Sequence, residues 1–211
     1  VCCQMTDANI LVPVRRLNYA DGRLAGGSMM NYRRESGLFL PDTIFDIRLD
    51  ASDPSSRGSY RVRDVYDRYD DLGNPLQVTR DGITSLYVWG YKGQYPVAEI
   101  TGGMSYDWLE NQLGSSELKG IRDGVAPSEA QFQSLERIRS GLYDSHPGAL
   151  MTVWRYRPLV GVSSVTAPNG TATGYSYDSG GRLSEINTSG GGQQQRVGRY
   201  SYNMTGGEIA R

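Results

Sequence analysis

The 211-residue sequence predicts a mainly β protein: a mostly antiparallel, curved sheet of hairpins interrupted by a helical insert at about residues 104–147. Three observations carry this. Glycine occurs 27 times, and tyrosine 15 times against three phenylalanines. Glycine serves where the chain must take positive φ, and tyrosine suits a pleated, half-buried surface with its hydroxyl in water. Short apolar and alternating runs are separated by turn residues at hairpin spacing. Between them lies one segment of helical period.

Residues 1–60 form an N-terminal β-rich region of short apolar runs and turns. Ile10-Leu11-Val12-Pro13-Val14 is followed by Asp21-Gly22 and then by Gly37-Leu38-Phe39-Leu40-Pro41. Asp50 to Ser59, rich in Ser, Asp, Pro and Gly, is the best loop in the chain. Residues 61–103 read as a hairpin region: Arg61 to Tyr69 alternates as a strand, Asp70 to Pro75 turns, and Ile83 to Tyr91 returns.

The helical insert, residues 104–147, follows from two patterns. Leu109 and Leu113 lie four apart in Tyr106–Leu113, and Gly114 ends that helix. After Pro127, Ser128 and Gln131 match a capping box, with Phe132, Leu135, Ile138 and Leu142 at helical spacing and Pro147-Gly148 as the stop. From 148 to 211 hairpins resume. Met151 to Pro158 alternates, Val160 to Thr166 is a strand, and Pro168-Asn169-Gly170 is the strongest turn. Thr171 to Tyr177 returns and Arg182 to Ile186 runs on. Gly190 to Gln195 reads as a flexible loop, and Arg199 to Tyr202 as the opening of another strand.

Three places share one skeleton, Tyr, then Asp or Asn, then Gly: Tyr69, Asp70 and Gly73; Tyr177, Asp178 and Gly181, followed by Arg182 and Leu183; and Tyr202, Asn203 and Gly206. The tyrosine ends a strand, Asp or Asn caps the turn by accepting backbone N–H groups, and Gly takes the left-handed conformation. Tyr177 and Tyr202 stand 25 positions apart, a spacing within the range of repeat architectures. Tyr19-Ala20-Asp21-Gly22-Arg23-Leu24 is a degenerate copy, one residue short.

The run Tyr177-Asp178-Ser179-Gly180-Gly181-Arg182-Leu183 resembles the YD-repeat motif of the RHS and teneurin-type family. Two longer segments, Tyr87 to Ile100 and Tyr156 to Thr166, are similar to segments of large YD-repeat proteins of Bacteroidetes bacteria; Ala167-Pro168-Asn169-Gly170 replaces their Asp-Pro-x-Gly turn. The resemblance implies a continuous sheet wound as a spiral, a cocoon-like wall that can enclose a toxin or effector domain. It also implies a secreted or cell-surface location. The implied partners are the remaining repeats of a longer parent polypeptide or an associated surface or secretion protein. Both ends look cut from something longer. The strand expected near residues 197–211 would then have an edge that another segment covers, and the isolated fragment would associate.

Function classes narrow accordingly. With 22 Lys and Arg against 23 Asp and Glu, the charge balance gives no nucleic-acid footprint, and no run reaches the ~20 apolar residues of a membrane span. Cys2 and Cys3 are adjacent and form neither a disulfide framework nor metal spacing. The single histidine, His146, sits at an expected helix end, where it serves the helix terminus. Asp64, Asp67, Asp70 and Asp71 are read as structural: strand alternation splits Asp64 from Asp67, and Arg61, Arg63 and Arg68 neutralise them. The self-cleaving aspartate box of toxin-releasing RHS shells is not found, since Asp53-Pro54 lacks its glycine. The expectation is therefore a non-enzyme with no catalytic residues, no metal and no cofactor. The alternative is a carbohydrate-binding module that stacks sugars on Trp89, Tyr91, Tyr95, Trp154 and Tyr156, the first three sharing a face if the strand is uninterrupted. The competing structural reading packs the same rings as cross-strand pairs.

Overall fold

A computed structural model describes residues 2–48 and 59–202. Its twelve strands follow one another through a sheet in chain order, each beside the strand before and after it, without crossovers. The described pairings are antiparallel. The protein is thus mainly β with a few helices. The chain divides into two compact units, Val1–Val88 with Thr101–Ser115, and Trp89–Ile100 with Ser116–Arg211.

In the first unit, a short helix α1 (Cys2–Asp7) precedes β1 (Arg15–Ala20), β2 (Arg23–Glu35), β3 (Leu38–Arg48), β4 (Ser59–Tyr69), β5 (Pro75–Arg80) and most of β6 (Ile83–Gly90). Three of its hairpins close with two residues of positive φ: Asp21-Gly22, Ser36-Gly37 and Asp81-Gly82. Such turns match the right-handed twist of the strands they join. The apolar run Ile10–Val14 lies ahead of β1: Leu11 is 93% exposed, while the Val14 carbonyl accepts the Met30 N–H of β2 at 2.8 Å. Pro13 has no N–H to give a ladder; its carbonyl instead accepts the Tyr32 hydroxyl at 3.2 Å. The core here gathers Leu40, Ile44, Val78 and Leu86, closed by helix α2 (Tyr106–Leu113) through Leu109 and Leu113. Arg68 docks that helix: it pairs with Asp107 and Glu110, and its guanidinium lies 4.9 Å from the Tyr106 ring centroid.

In the second unit, β7 (Tyr95–Gly102) precedes α3 (Ser115–Asp123), α4 (Glu129–Ser145), β8 (Leu150–Arg157), β9 (Gly161–Thr166), β10 (Ala172–Tyr177), β11 (Leu183–Gly190) and β12 (Gln193–Arg199). The capping box of α4 is formed as the sequence predicts, with Ser128 and Gln131 bonding each other's backbone N–H. Phe132, Leu135 and Leu142 are buried, and His146 closes the helix by donating its N–H to Leu142. Helix α3 is an addition to the sequence reading. Arg155 of β8 holds α4 down, bidentate to Glu129 and 4.0 Å under the Phe132 ring centroid.

Two expectations near the C-terminal end are corrected. Residues 190–195 are not a flexible loop. Gly191-Gly192 is a positive-φ hairpin turn, and β11 and β12 pair from Gly190↔Gln193 to Glu185↔Arg199. The last described strand therefore ends at Arg199 and does not begin there. Tyr200 still reaches β11, donating its N–H to Ser184 at 2.9 Å.

Candidate functional site

The repeat skeleton builds one five-residue loop. At Asp70–Asn74, Asp70 N–H donates to Asn74 O at 2.9 Å and Gly73 N–H to Asp70 O at 3.1 Å. The carboxylate then accepts Leu72 N–H at 2.9 Å and Asn74 N–H at 2.8 Å on one oxygen. Asp178–Arg182 repeats this bond for bond, at 2.8, 3.0, 2.9 and 2.9 Å. Short polar side chains favour this role because their oxygens stand in for the missing backbone acceptors. Gly73 and Gly181 have φ of 87° and 76°, which Gly adopts without penalty. The Asp178 carboxyl is held below the usual carboxylate range, first by the Arg182 N–H and then by the Arg182 side chain.

Ala167–Thr171 forms the same loop backbone without an aspartate: Ala167 N–H to Thr171 O and Gly170 N–H to Ala167 O, both 2.9 Å, with φ of 84° at Gly170. Asn169, two residues later, supplies the side-chain oxygen for Thr171 N–H at 3.0 Å. Sequence comparison of Tyr-Asp motifs could not find this copy. Pro168-Asn169-Gly170 marks a turn in the sequence, but with Ala167 in place of an aspartate and no tyrosine before it, the Tyr-Asp skeleton does not show it to be a copy of this loop.

The tyrosine before each of the two aspartate loops reaches back to the preceding strand, and Tyr202 makes a like bond. Tyr69 donates its hydroxyl to Pro41 O at 2.8 Å, Tyr177 to Val162 O at 2.7 Å, and Tyr202 to Leu183 O at 2.9 Å. A bulge on the return strand accompanies the first two. Arg68↔Gln77 is followed by Tyr69↔Pro75, and Ser176↔Glu185 by Tyr177↔Leu183, each skipping one residue. The extra residue increases local twist and re-aims the ring. Asn203 and Gly206 lie outside the described residues, so only Tyr202 of the third motif is placed. Its ring carries the Arg182 guanidinium at 4.6 Å from the centroid. Tyr19, in the degenerate copy, makes no such loop: Ala20↔Arg23 closes a two-residue hairpin and Tyr19 is 63% exposed.

The aromatic candidates divide. Tyr91, Tyr95 and Tyr156 come together. Tyr95 and Tyr156 stack with centroids 4.7 Å apart, and Tyr91 meets both edge-on at 5.7 and 5.8 Å. Tyr91 is 5% exposed, and its hydroxyl bonds both the carbonyl and the N–H of Tyr156, at 3.1 and 2.9 Å. Burial pushes the Tyr156 hydroxyl up, with Tyr91 and Tyr95 adding to it. Trp89 and Trp154 are half-buried on β6 and β8. The shared face expected from odd numbering does not exist, because the chain turns between β6 and β7. Tyr91 and Lys92 have φ of 54° and 59°. The turn is held from outside: Lys92 N–H donates to Gly124 O at 2.9 Å and Gly93 N–H to Arg122 O at 3.0 Å. Those carbonyls follow and end α3, so the turn serves as its C-terminal cap.

The acidic residues of β4 are all engaged. Buried Asp64 lies between Arg63 and Arg80, at 3.3 and 2.9 Å, and Asp67 accepts the Thr79 hydroxyl. Two of the expected neutralising partners are used elsewhere: Arg61 pairs with Asp81, and Arg68 with α2. No group of three or more His, Cys, Asp or Glu among the described residues could hold a metal. No described helix is long and apolar enough to cross a membrane.

Residues 161–193 match the RHS Repeat family, so the chain carries an RHS repeat across β9 to the start of β12. No curated protein matches. The chain is similar to a crystal structure of TcdB2-TccC3 without its hypervariable C-terminal region, at 10% identity and a TM-score of 0.47, over 93% of this chain and 10% of that one. It is also similar to a Photorhabdus luminescens Tc holotoxin pore with a substituted TccC3, at 10% identity and a TM-score of 0.49, over 88% and 8% respectively. The chain thus spans about a tenth of the solved chains it matches.

Proposed function

We propose that this chain is a non-catalytic wall segment of a large secreted or cell-surface RHS-repeat protein. Its role is to extend a sheet hairpin by hairpin beside the other repeats of its parent polypeptide. One observation carries the reading. The same five-residue loop recurs at Asp70, Ala167 and Asp178, and the tyrosines before the two aspartates fasten each new hairpin to the strand already laid down. That unit needs only the preceding strand, so it can be added repeatedly without new tertiary invention. Enclosure or presentation of a toxin or effector by the parent is what the resemblance to RHS proteins implies for the finished wall. Electron microscopy of the intact parent protein tests this: a hollow β-walled particle containing this segment is expected. A compact domain standing apart from the other repeats would overturn it.

The carbohydrate-binding alternative has less support, because Tyr91 spends its hydroxyl on the backbone and Tyr95 and Tyr156 cover each other. A glycan array decides it: sugar binding lost in Trp89→Ala or Trp154→Ala, with folding intact, would replace the wall reading.

A further inference from the structure

Two stacked tyrosine pairs lie in the described residues, and they differ in what surrounds them. Tyr66 and Tyr69 are parallel within 9° at 5.9 Å, but the Arg33 guanidinium sits 5.1 Å from the Tyr69 ring centroid. The Tyr69 hydroxyl is buried and committed to Pro41 O. A cation on a ring face opposes removal of an electron from that ring. Tyr95 and Tyr156 are closer, 4.7 Å between centroids and 23° between planes, so ring carbons of one lie in van der Waals contact with the other. The Arg155 guanidinium, on the residue before Tyr156, is committed to the Phe132 ring. The Tyr95 hydroxyl accepts the Leu159 N–H at 3.5 Å, which leaves its own proton free to depart. Both rings are half-buried, open enough for an oxidising equivalent to reach them. Tyr91 fixes the Tyr156 backbone through two hydrogen bonds, so the pair is held in place before any reaction.

We propose that Tyr95 and Tyr156 form an oxidative cross-linking site, joined as a dityrosine by an oxidant of the haem peroxidase and hydrogen peroxide class. Each phenol loses one electron and its hydroxyl proton. The two radicals couple through one carbon–carbon bond between positions ortho to the hydroxyls. The hydrogen on each coupled carbon then returns to its own oxygen as the ring regains aromaticity. Two electrons and two protons leave in all, and together they reduce one hydrogen peroxide to two waters. The bridge ties the first residue of β7 to β8, across the segment that holds α3 and α4. It would add a covalent tie between two strands that are already neighbours in the sheet.

The test treats this chain at high dilution with a haem peroxidase and hydrogen peroxide, then maps cross-linked peptides by mass spectrometry. The expected product is a monomer in which the peptides holding Tyr95 and Tyr156 are joined with loss of two hydrogens. It should disappear in Tyr95→Phe and in Tyr156→Phe, and persist in Tyr143→Phe, which removes a phenol that is 81% exposed. The same treatment in denaturant controls for variants that fail to fold: the wild-type pair should then lose its preference. Links confined to exposed tyrosines such as Tyr143, links only between molecules, or an equal yield in native and denatured protein would each overturn the proposal.

Discussion

The loops after Tyr69 and Tyr177 share one backbone and are secured by different neighbours. Behind Tyr69, packing dominates. Its ring is 7% exposed, and Arg33 reaches from β2 to cover it while donating to Tyr66 O at 2.6 Å. A Cβ on Gly73 would come within 3.1–3.2 Å of Leu38 and Leu40. Burial pushes the Tyr69 hydroxyl well above the usual phenol range. Behind Tyr177 the fastening is thinner. The described ladder between β9 and β10 stops at Gly174↔Ser164, and the Tyr177 hydroxyl alone spans the gap to Val162 O. That hydroxyl lies 2.5 Å from where a Cβ of Gly161 would stand. The fifth loop residue differs as well: Asn74 offers its amide to Asp70, whereas Arg182 closes an ion pair with Asp178. Local bonding therefore dictates the loop, and tertiary surroundings set how much each copy contributes.

Six substitutions break or sharpen this contrast. Tyr69→Ala should cost about 3–5 kcal/mol, as for other large buried aromatics, and Tyr177→Ala distinctly less. Urea midpoints compare them, and equal losses would remove the distinction. Gly161→Ala should cost about 1–3 kcal/mol through overpacking against the Tyr177 hydroxyl. Part of that loss should be relieved in the Tyr177→Phe background, which deletes the nearest clashing oxygen but leaves the ring carbon that bore it at 3.0 Å and the φ of 158° at Gly161. Fully additive losses in a double-mutant cycle would show that the hydroxyl contact is not a cause. Tyr69→Phe, which leaves Pro41 O without its donor, should cost about 1 kcal/mol. Asp178→Asn should act mainly through pH. A carboxyl depressed in the folded state contributes stability above its unfolded pKa and loses it as pH falls through the folded one. The wild type should therefore lose this contribution only below the ordinary carboxylate range, while the variant shows no such acid limb in a titration of stability.

Much of the fold was legible because turns and caps are written locally. The loop at 178–182, the capping box at Ser128 and the stop at Gly114 follow from a few adjacent residues each. What escaped depends on distant partners. Helix α3 contains Gly120 and is followed by Gly124, and its terminal carbonyls find donors in the turn of Lys92 and Gly93. That turn uses positive φ at Tyr91 and Lys92, residues that carry no such signal in sequence. Gln193 to Gln195 looked like a linker because low complexity hid the period of a strand; pairing with Thr188 and its neighbours supplies what the side chains do not. Of the aromatic candidates, sequence reasoning found the cluster's members. It could not know that Tyr91 bonds the Tyr156 backbone, since 65 residues separate them.

The chain-ordered sheet has a mechanical consequence. Where each strand is flanked by its sequence neighbours, a pull along the chain opens hairpins one at a time. Each hydrogen bond is then loaded alone, as in a zip, and not with its row, as in a shear clamp. Resistance would fall between hairpins and recover at the five-residue loops, where a carboxylate holds the turn closed and a tyrosine hydroxyl grips the strand behind. A sheet built this way would yield in small steps and could re-zip from any intact loop.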